Sequence, residues 1–196
     1  MRAYKLIPVS GGVRAGKSVF AVNHARELGT RRVYIATAEE IDEEMRERIM
    51  AHREERGKDF EIVEEPIDLC ETLEKLRNKD VVVVDCLTIW LSNLLLREEP
   101  PVRILERVKD LLAIVASAPF HVLFVTNEVG MGVVPETRLG RIFRDLCGRV
   151  HQSISLCADE FYFAALGTIV RIKPDPVCAV PPMGCGFIPV PADSDP

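Results

Sequence analysis

The sequence predicts an α/β fold of three layers, with helices on both faces of a mostly parallel central sheet. Short apolar runs alternate along the chain with longer segments of helical periodicity. The run Val81-Val82-Val83-Val84 has no polar alternation, which is typical of a strand covered on both faces. Because parallel neighbours need a crossover connection, this alternation of strands and helices favours a parallel sheet flanked by helices.

The individual elements follow from the same patterns. Strands are predicted at residues 5–10, 33–37, 81–85, 121–126, 160–165 and 168–173, each rich in Val, Ile, Phe or Tyr. Helices are predicted at residues 17–28, 41–56, 68–77, 87–96, 102–116 and 139–157. Only Leu166 and Gly167 separate the last two strands, so these are expected to form an antiparallel hairpin at one edge. Pro8 cannot donate to a ladder, so the first strand is expected to be irregular there.

Proline content divides the chain into two predicted parts. Residues 1–173 contain all of the predicted strands and helices. Residues 174–196 hold seven of the 13 prolines and show no helical period. They are therefore predicted to form a proline-rich C-terminal extension of the folded domain.

The composition is that of a globular protein and argues against several classes of function. Of 196 residues, 47% are hydrophobic and 28% are charged. The 25 Lys and Arg against 30 Asp and Glu give a net charge of −5, which argues against sequence-independent binding to nucleic acid. No apolar run reaches the roughly 18 residues of a membrane span, and no signal-peptide cleavage pattern is visible. The six cysteines include no C-x-x-C spacing, so reduced thiols and a cytoplasmic location are expected.

A glycine-rich segment carries the strongest chemical signal in the chain. It fits the phosphate-loop pattern G-x-x-x-x-G-K-[ST] and consists of Gly11, Gly12, Val13, Arg14, Ala15, Gly16, Lys17 and Ser18. Its place between a predicted strand and a predicted helix is that of the loop in P-loop NTPases, where backbone N–H groups and a helix N-terminus hold phosphate oxygens. Lys17 is expected to reach the β- and γ-phosphates, and the Ser18 hydroxyl to bind Mg²⁺. Residues 1–173 are therefore predicted to be a P-loop nucleotide-binding catalytic domain.

Asp85 is the candidate for a second metal ligand. It follows the all-valine strand, and parallel strands deliver their last side chains to the ligand-binding edge of such a sheet. An Asp at this place can also cap the helix that is predicted to begin at Leu87. Together with Lys17 and Ser18, Asp85 indicates a nucleoside triphosphate with Mg²⁺ but does not indicate which reaction.

A histidine lies on a cationic stripe of the helix predicted at residues 41–56. Arg48, His52 and Arg56 recur at intervals of four residues, at the margin of an apolar face of that helix. Guanidinium groups beside an imidazole suit a phosphoryl group, and a neutral imidazole can attack phosphorus to form a phosphoramidate. The alternative is a solvated helix in which nearby glutamates pair with the arginines. The stripe alone leaves both interpretations open.

Several longer blocks together resemble one enzyme family. Besides the phosphate loop, the blocks are Tyr34-Ile35-Ala36-Thr37-Ala38, Arg48-Ile49 with His52 and Arg56, Glu64-Glu65-Pro66, Val84-Asp85-Cys86-Leu87-Thr88-Ile89-Trp90-Leu91-Ser92-Asn93-Leu94-Leu95, Thr126-Asn127-Glu128-Val129-Gly130, Val134-Pro135-Glu136, Leu139-Gly140-Arg141, Phe143-Arg144-Asp145 and Ala158-Asp159. In this order and spacing the chain resembles the bifunctional adenosylcobinamide kinase/adenosylcobinamide-phosphate guanylyltransferase family of cobalamin biosynthesis. The resemblance covers about residues 5–173.

The resemblance implies two reactions in one enzyme. Adenosylcobinamide is first phosphorylated by ATP or GTP, and GMP from GTP is then carried on a histidine, which falls on His52, to adenosylcobinamide phosphate. The nucleotide contacts of the family fall on Gly11 to Ser18, Ala36, Thr37, Ala38, Arg53, Glu54, Glu55, Arg56, Glu64 and Asp85. Small residues at 36–38 allow a base or ribose to approach closely. Asn127 and Glu128 follow a predicted strand, so they are expected at the ligand-binding edge, where they position the cobinamide side or a metal-bound water.

Three positions depart from the family pattern. They are Pro8 in the first strand, Ala15 where serine is common, and His151 where asparagine is usual. The change at Ala15 removes only a hydroxyl, and His151 is interpreted as a polar residue of a long helix. The resemblance also implies a homo-oligomer, a trimer in the family. An apolar set is expected to serve either as an interface or as core, and it consists of Trp90, Leu91, Leu94 and Leu95.

Two alternative functions stay open at the level of sequence. One is a kinase alone, in which His52 only binds phosphate. The other is a non-enzymatic regulator that senses GTP through the phosphate loop. Under the main interpretation the partners are adenosylcobinamide and its phosphate, with ATP and GTP as substrates, and neither nucleic acid nor a membrane span is involved.

Overall fold

Eight strands form one sheet in the residues that the computed structural model describes, 4–39 and 59–180. They are β1 (Leu6–Gly11), β2 (Arg32–Ala36), β3 (Glu61–Glu64), β4 (Val81–Asp85), β5 (His121–Val125), β6 (Phe161–Ala165), β7 (Thr168–Lys173) and β8 (Cys178–Val180). Their order across the sheet is β3-β2-β4-β5-β1-β6-β7-β8. Neighbours from β3 to β6 in this order pair in parallel, and β7 and β8 add antiparallel strands at one edge. The predicted parallel sheet and its antiparallel edge hairpin are confirmed.

Five helices accompany this sheet within the described ranges. They are α1 (Lys17–Leu28), α2 (Leu69–Lys75), α3 (Leu87–Leu96), α4 (Pro101–Ser117) and α5 (Arg138–Cys157). The helices predicted at 17–28 and 87–96 are confirmed at both ends, and the other three begin and end within two residues of the prediction. The helix predicted at 41–56 lies outside the described residues. None of the five helices combines the length and the apolar character that crossing a bilayer requires.

The strand β4 shows how the sheet separates two cores. Val82 and Val84 belong to a core cluster shared with α2, α3, α4 and α5, whereas Val81 and Val83 belong to a cluster shared with α1. All four valines are fully buried, because successive side chains of a strand point to opposite faces. The three-layer architecture predicted from the all-valine run is therefore confirmed.

The apolar set of α3 belongs to the first of these cores. Trp90 and Leu91 are fully buried, Leu94 is 1% exposed and Leu95 is 9% exposed. The indole Nε1 of Trp90 donates a hydrogen bond to the backbone oxygen of Ile67 at 2.8 Å, so its polar atom is satisfied inside the core. Of the two interpretations of this set, core is correct and an interface is wrong.

Pro8 is accommodated in a central strand without irregular pairing to β5. It lies opposite Phe124 in an unbroken parallel register. The carbonyl oxygen of Lys5 accepts a hydrogen bond from Val122 in β5, and that of Val9 accepts one from Thr126, which follows β5. Successive residues of a strand direct their backbone groups to opposite neighbours, so the backbone of Pro8 faces β6. Pairing with β6 begins only at Val9, so the missing N–H of Pro8 falls just outside that ladder. The expected irregularity at Pro8 is wrong for this reason.

The sequence does not predict the strands β3 and β8. The strand β3 is a four-residue edge strand with a glutamate at each end and mostly exposed side chains, so it shows no apolar period. The strand β8 follows Pro176 and pairs with β7. The sheet thus extends past residue 173 to residue 180, while residues 181–196 of the predicted extension lie outside the described residues.

The cysteines in the described ranges are free thiols. They are Cys70, Cys86, Cys147, Cys157 and Cys178. Burial raises the pKa of Cys86 and the pKa of Cys147 to about 12, so both side chains stay neutral near pH 7. These two cysteines serve as small core residues, as predicted.

Replacing Gly11 by alanine is expected to destabilise the fold strongly. A Cβ at Gly11 comes within 2.0 Å of the backbone oxygen of Ala164, and the φ of 139° adds strain for any other residue. We expect the free energy of unfolding to fall by about 3 kcal/mol or more, measured by urea denaturation. Gly12→Ala is the matched control, because a Cβ there meets no atom within 4 Å. Equal losses in both variants would contradict the close contact between β1 and β6.

Candidate nucleotide-binding site

The carboxyl ends of four adjacent parallel strands meet at one edge of the sheet, which we call the ligand edge. These ends are Ala36 of β2, Asp85 of β4, Val125 of β5 and Gly11 of β1. The predicted site residues within the described ranges all lie at or just after these ends or the neighbouring end of β3. The remaining predicted site residues, which are His52, Arg53, Glu54, Glu55 and Arg56, lie outside the described residues. The topology therefore brings together the phosphate loop, residues 36–38, Glu64, Asp85, Asn127 and Glu128.

The phosphate loop, residues 11–18, takes its shape from positive φ angles. Gly11 has a φ of 139°, Arg14 of 55° and Gly16 of 90°. Positive φ values within such a loop let N–H groups turn toward one side, which makes a concave anion site. Gly16 is also the N-cap of α1, and its backbone oxygen accepts a hydrogen bond from Phe20 at 3.0 Å. The positive end of the α1 dipole therefore faces the loop.

Lys17 is a buried cation beneath this loop. The residue is 6% exposed, and its Nζ donates a hydrogen bond to the backbone oxygen of Gly12 at 2.5 Å. Burial lowers the pKa of Lys17, and the nearby carboxylate of Asp85 opposes that shift. The ammonium group is thus held inside the loop, where it can neutralise phosphate charge.

Asp85 is oriented by a residue that the sequence analysis missed. The hydroxyl of Tyr34, inside β2, donates a hydrogen bond to Oδ2 of Asp85. A tyrosine within a strand gives no sequence signal for such a role. The N-cap of α3 is Cys86, whose Sγ accepts from the N–H of Ile89 at 3.5 Å, so the cap interpretation of Asp85 is wrong.

Asp85 and Ser18 fit the ligand set of a magnesium ion. Ser18 is half-buried in the first turn of α1, directly after Lys17. Among the residues that the structure describes, no three His, Cys, Asp or Glu side chains are grouped as metal ligands. Mg²⁺ needs no such group, because it takes one or two protein oxygens and completes its octahedral shell with phosphates and water. The chemistry of one carboxylate and one hydroxyl therefore suits Mg²⁺ bound together with a nucleotide.

Thr37 joins the end of β2 to the end of β4. It is fully buried, and its Oγ1 donates to the backbone oxygen of Cys86 and accepts from the backbone N–H of Cys86, both at 2.8 Å. Its own N–H donates to the backbone oxygen of Asp85 at 3.1 Å. The Thr37 hydroxyl thereby donates its one proton within the protein, and the neighbouring Ala36 and Ala38 have small side chains at the ligand edge.

Two consecutive glutamates at the end of β3 have different roles. The carboxylate of Glu65 accepts hydrogen bonds from the N–H groups of Ile67 at 2.9 Å and Asp68 at 2.7 Å, so it stabilises the start of α2. Its own N–H donates to the backbone oxygen of Ala36 at 2.9 Å. Glu64 is exposed at the same edge, where its predicted nucleotide contact would lie.

The backbone of Glu128 is hydrogen-bonded to the phosphate loop. Its N–H donates to the backbone oxygen of Gly11 at 2.9 Å, and its Oε1 accepts from the N–H of Gly130 at 2.6 Å. Its Oε2 lies 3.4 Å from Nδ1 of His151, on α5. The Glu128 carboxylate is therefore held at a defined place beside the loop.

A chain of hydroxyl groups continues from His151 toward α3. Nε2 of His151 lies 2.8 Å from Oγ1 of Thr126, which lies 3.0 Å from Oγ1 of Thr88. The N–H of Asn127 donates to Oγ1 of Thr88 at 2.6 Å. The sequence analysis did not single out Thr88 or Thr126, although Thr126 directly follows β5 and Thr88 lies in the first turn of α3, three residues after β4 ends.

The fold and the loop define an α/β protein of the P-loop NTPase type. Two solved structures share this fold. One is an ATPase domain, with a TM-score of 0.53 and 14% identity, over 92% of this chain and 81% of that one. The other is a prototypical ATPase from the type III secretion system of pathogenic bacteria, with a TM-score of 0.54 and 14% identity, over 83% of this chain and 51% of that one. At these identities the likeness concerns the fold alone.

The chain belongs to the family described as cobinamide kinase / cobinamide phosphate guanyltransferase, which matches residues 7–172. It is 38% identical over 170 residues to the bifunctional adenosylcobalamin biosynthesis protein CobP of Pseudomonas aeruginosa, covering 86% of this chain and 98% of that protein. It is 36% identical over 184 residues to the bifunctional adenosylcobalamin biosynthesis protein CobU of Escherichia coli, covering 86% and 99% respectively. The family resemblance inferred from the motifs is confirmed.

Acidification is expected to destabilise the protein in part through His151. Burial lowers the pKa of His151, although Glu128 opposes the shift, so the native state binds this proton less readily than the unfolded chain does. An unfolded histidine titrates near about pH 6.5. The free energy of unfolding is therefore expected to fall as the pH decreases through that value toward the lowered native pKa. Burial also lowers the pKa of His121, which adds a contribution of the same sign.

Urea denaturation between about pH 7.5 and pH 5.5 measures this dependence. The variant His151→Asn is expected to show a shallower fall than the unmodified chain, with the His121 contribution remaining. Gln152→Asn, an exposed neighbour on the same helix, is the control and is expected to leave the slope unchanged. An unchanged slope in His151→Asn would show that His151 titrates alike in both states.

Proposed function

We propose that this protein phosphorylates adenosylcobinamide with ATP or GTP and then transfers GMP from GTP to the product, giving adenosylcobinamide-GDP. The observation that carries the proposal is the match of residues 7–172 to a family described by both activities. The phosphate loop supports it, because Lys17 is buried beneath the loop and can serve a nucleoside triphosphate in either reaction.

In the kinase reaction, the hydroxyl oxygen of the aminopropanol group of adenosylcobinamide attacks the γ-phosphorus of the triphosphate. A new O–P bond forms, the bond from the γ-phosphorus to the bridging oxygen breaks, the nucleoside diphosphate leaves, and the hydroxyl proton is released. The N–H groups of the loop and Lys17 stabilise the negative charge that develops on the phosphate oxygens.

In the guanylyl transfer, the neutral imidazole of His52 attacks the α-phosphorus of GTP. An N–P bond forms and pyrophosphate leaves, which gives a phosphoramidate. A phosphate oxygen of adenosylcobinamide phosphate then attacks the same phosphorus, and the N–P bond breaks to regenerate the imidazole. Family membership and the cationic stripe of Arg48 and Arg56 support this role for His52.

Ser18 and Asp85 would hold Mg²⁺ beside the phosphates. When bound, the ion neutralises phosphate charge and orients the reacting groups. Tyr34 contributes by holding the Asp85 carboxylate in one orientation. Further nucleotide contacts are proposed for Ala36, Thr37, Ala38, Arg53, Glu54, Glu55, Arg56 and Glu64, the last as an acceptor for a guanine edge or a ribose hydroxyl.

Asn127 and Glu128 are assigned to the cobinamide side of the site. Glu128 is tied to the backbone of Gly11, so its carboxylate stands beside the phosphate loop. A carboxylate there can accept a hydrogen bond from the attacking hydroxyl and orient it toward the γ-phosphate. We further propose a homo-oligomer acting in the cytoplasm, with no nucleic-acid partner.

GTP labelled on the α-phosphate tests the guanylyl transfer. We expect denatured protein to retain the label, to lose it in mild acid and to keep it in base, because a phosphoramidate has that stability. His52→Ala is expected to abolish retention, and His24→Gln is the control histidine substitution. Retention that persists equally in His52→Ala would show that another residue carries the GMP.

Retention of the label, taken together with turnover of cobinamide, separates the alternatives. A kinase alone would phosphorylate cobinamide without retaining label. A GTP-dependent regulator would show neither an adduct nor turnover. Either result would overturn the bifunctional proposal.

Glu128→Gln tests the cobinamide side of the site. Removing the negative charge while keeping the shape is expected to lower kcat of at least one of the two reactions by about tenfold or more. Glu136→Gln, an exposed glutamate of the same segment, is the matched control. Both reactions are measured by separating the corrinoid products, and full activity of Glu128→Gln in both would remove this role.

A further inference from the structure

His151 connects the ligand edge to the helix α5. Its side chain is only 12% exposed, and its two ring nitrogens face different partners. Nε2 lies 2.8 Å from the Thr126 hydroxyl, and Nδ1 lies 3.4 Å from Oε2 of Glu128. An imidazole in this place therefore contacts both a hydroxyl chain and a carboxylate of the proposed substrate site.

The fixed donor at one end favours one direction for the hydrogen-bond chain. The N–H of Asn127 can only donate, so Oγ1 of Thr88 accepts at 2.6 Å. The Thr88 hydroxyl then donates to Thr126, and the Thr126 hydroxyl donates to Nε2 of His151. In this arrangement each hydroxyl donates once and accepts once, and Nε2 carries no proton. This direction places the proton of a neutral imidazole on Nδ1, facing Glu128.

The opposite direction is less favourable. With a proton on Nε2, the imidazole donates to Thr126, and the Thr126 hydroxyl then donates to Thr88. The Thr88 hydroxyl donates in turn to the thiol of Cys86, which is a weak acceptor. A neutral imidazole would then direct the lone pair of Nδ1 at the Glu128 carboxylate, which is repulsive. A doubly protonated ring would avoid that repulsion but would place a cation in a buried site.

The surroundings of His151 favour its neutral form. Among the described residues, Glu128 is the charged group that acts on it, from the segment after β5. The thiols of Cys147 on α5 and Cys86 before α3 belong to the same neighbourhood and stay neutral, because burial raises their pKa to about 12. Burial lowers the pKa of His151 itself.

We propose that His151 is a positioning residue, whose neutral imidazole, protonated on Nδ1, holds the Glu128 carboxylate beside the phosphate loop. Gly130 fixes one carboxylate oxygen at 2.6 Å, and His151 restrains the other. The Nδ1–Oε2 distance of 3.4 Å is long for a hydrogen bond, and such contacts commonly shorten when substrate binds. The functional part of this inference rests on the role of Glu128 in the proposed function.

Two amide substitutions separate the two contacts of the imidazole. The amide of asparagine reaches about as far as Nδ1, and the amide of glutamine about as far as Nε2. His151→Asn therefore retains the contact with Glu128 and gives up the contact with Thr126, whereas His151→Gln does the reverse. We expect His151→Asn to keep kcat of the cobinamide kinase reaction within about threefold, and His151→Gln to lose about tenfold or more.

Further measurements separate positioning from stability. KM for the triphosphate is expected to change by less than about twofold in both variants, because neither contact involves the phosphate loop directly. Urea denaturation is recorded for each variant, and Gln152→Asn is the surface control on α5. Equal kcat in His151→Asn and His151→Gln, or losses that follow stability alone, would overturn the positioning role.

The tautomer is tested without any enzymatic reaction. In the full chain labelled with ¹⁵N-histidine, the His151 signals are those that disappear in His151→Asn. At about pH 7.5 we expect a protonated Nδ1 and an unprotonated Nε2, with the Nδ1 signal shifted in Glu128→Gln. A proton on Nε2 would overturn the inference whether or not the protein turns over cobinamide. The Nδ1 tautomer in a chain without turnover would instead count against the proposed function only.

Discussion

The backbone of Gly11 ties the phosphate loop to the strands on both of its sides, and the site depends on this tie. On one side the chain approaches Ala164 so closely that a Cβ would stand 2.0 Å from its backbone oxygen. On the other side the Gly11 oxygen accepts the N–H of Glu128 at 2.9 Å. The loop, the end of β6 and the segment after β5 are therefore held together by main-chain contacts, which no change of rotamer can loosen.

A second set of contacts, one between main-chain groups and three that involve side chains of β2 or of the residue after it, sets the position of Asp85 at the end of β4. Thr37 bonds both the backbone of Asp85 and that of Cys86, and Tyr34 fixes the carboxylate itself. The strand β5 lies between β4 and β1, so Asp85 and Gly11 end strands that are about 10 Å apart. Lys17 belongs to the phosphate loop, and burial lowers its pKa, while the nearby carboxylate of Asp85 opposes that shift. The arrangement places a cation at the phosphate loop and a carboxylate at the end of β4, on the same edge of the sheet.

Local patterns in the sequence predicted most of the fold and the central part of the site. The helix at 17–28, the strand at 81–85 and the phosphate loop each follow from spacing within about a dozen residues. The strand β3 escaped prediction because an exposed edge strand needs no apolar period. The expectation for Pro8 was wrong because the neighbour that a residue faces depends on register, which a single sequence does not contain.

The side-chain network at the ligand edge could not be predicted from the sequence for a related reason. Thr88 lies on α3, Thr126 in the segment after β5 and His151 on α5, and their hydrogen bonds join residues 38 and 25 positions apart. A lone histidine on a long helix gives no sign of which side chains it will meet. Only the folded structure, in which His151 of α5 lies beside Thr126, shows that His151 contacts Glu128.

The antiparallel edge also decides where the polypeptide leaves the sheet. Gly11 pairs with Ala164, Ala164 with Ile169, and Ile169 with Val180, so these residues form one row across four strands. Val180 therefore lies level with the phosphate loop, about 14 Å to its side. Lys5, which precedes β1, lies instead at the amino ends of the parallel strands, opposite the ligand edge. A domain or surface attached through the amino end would leave the nucleotide side clear. One attached directly after Val180 would start on that side.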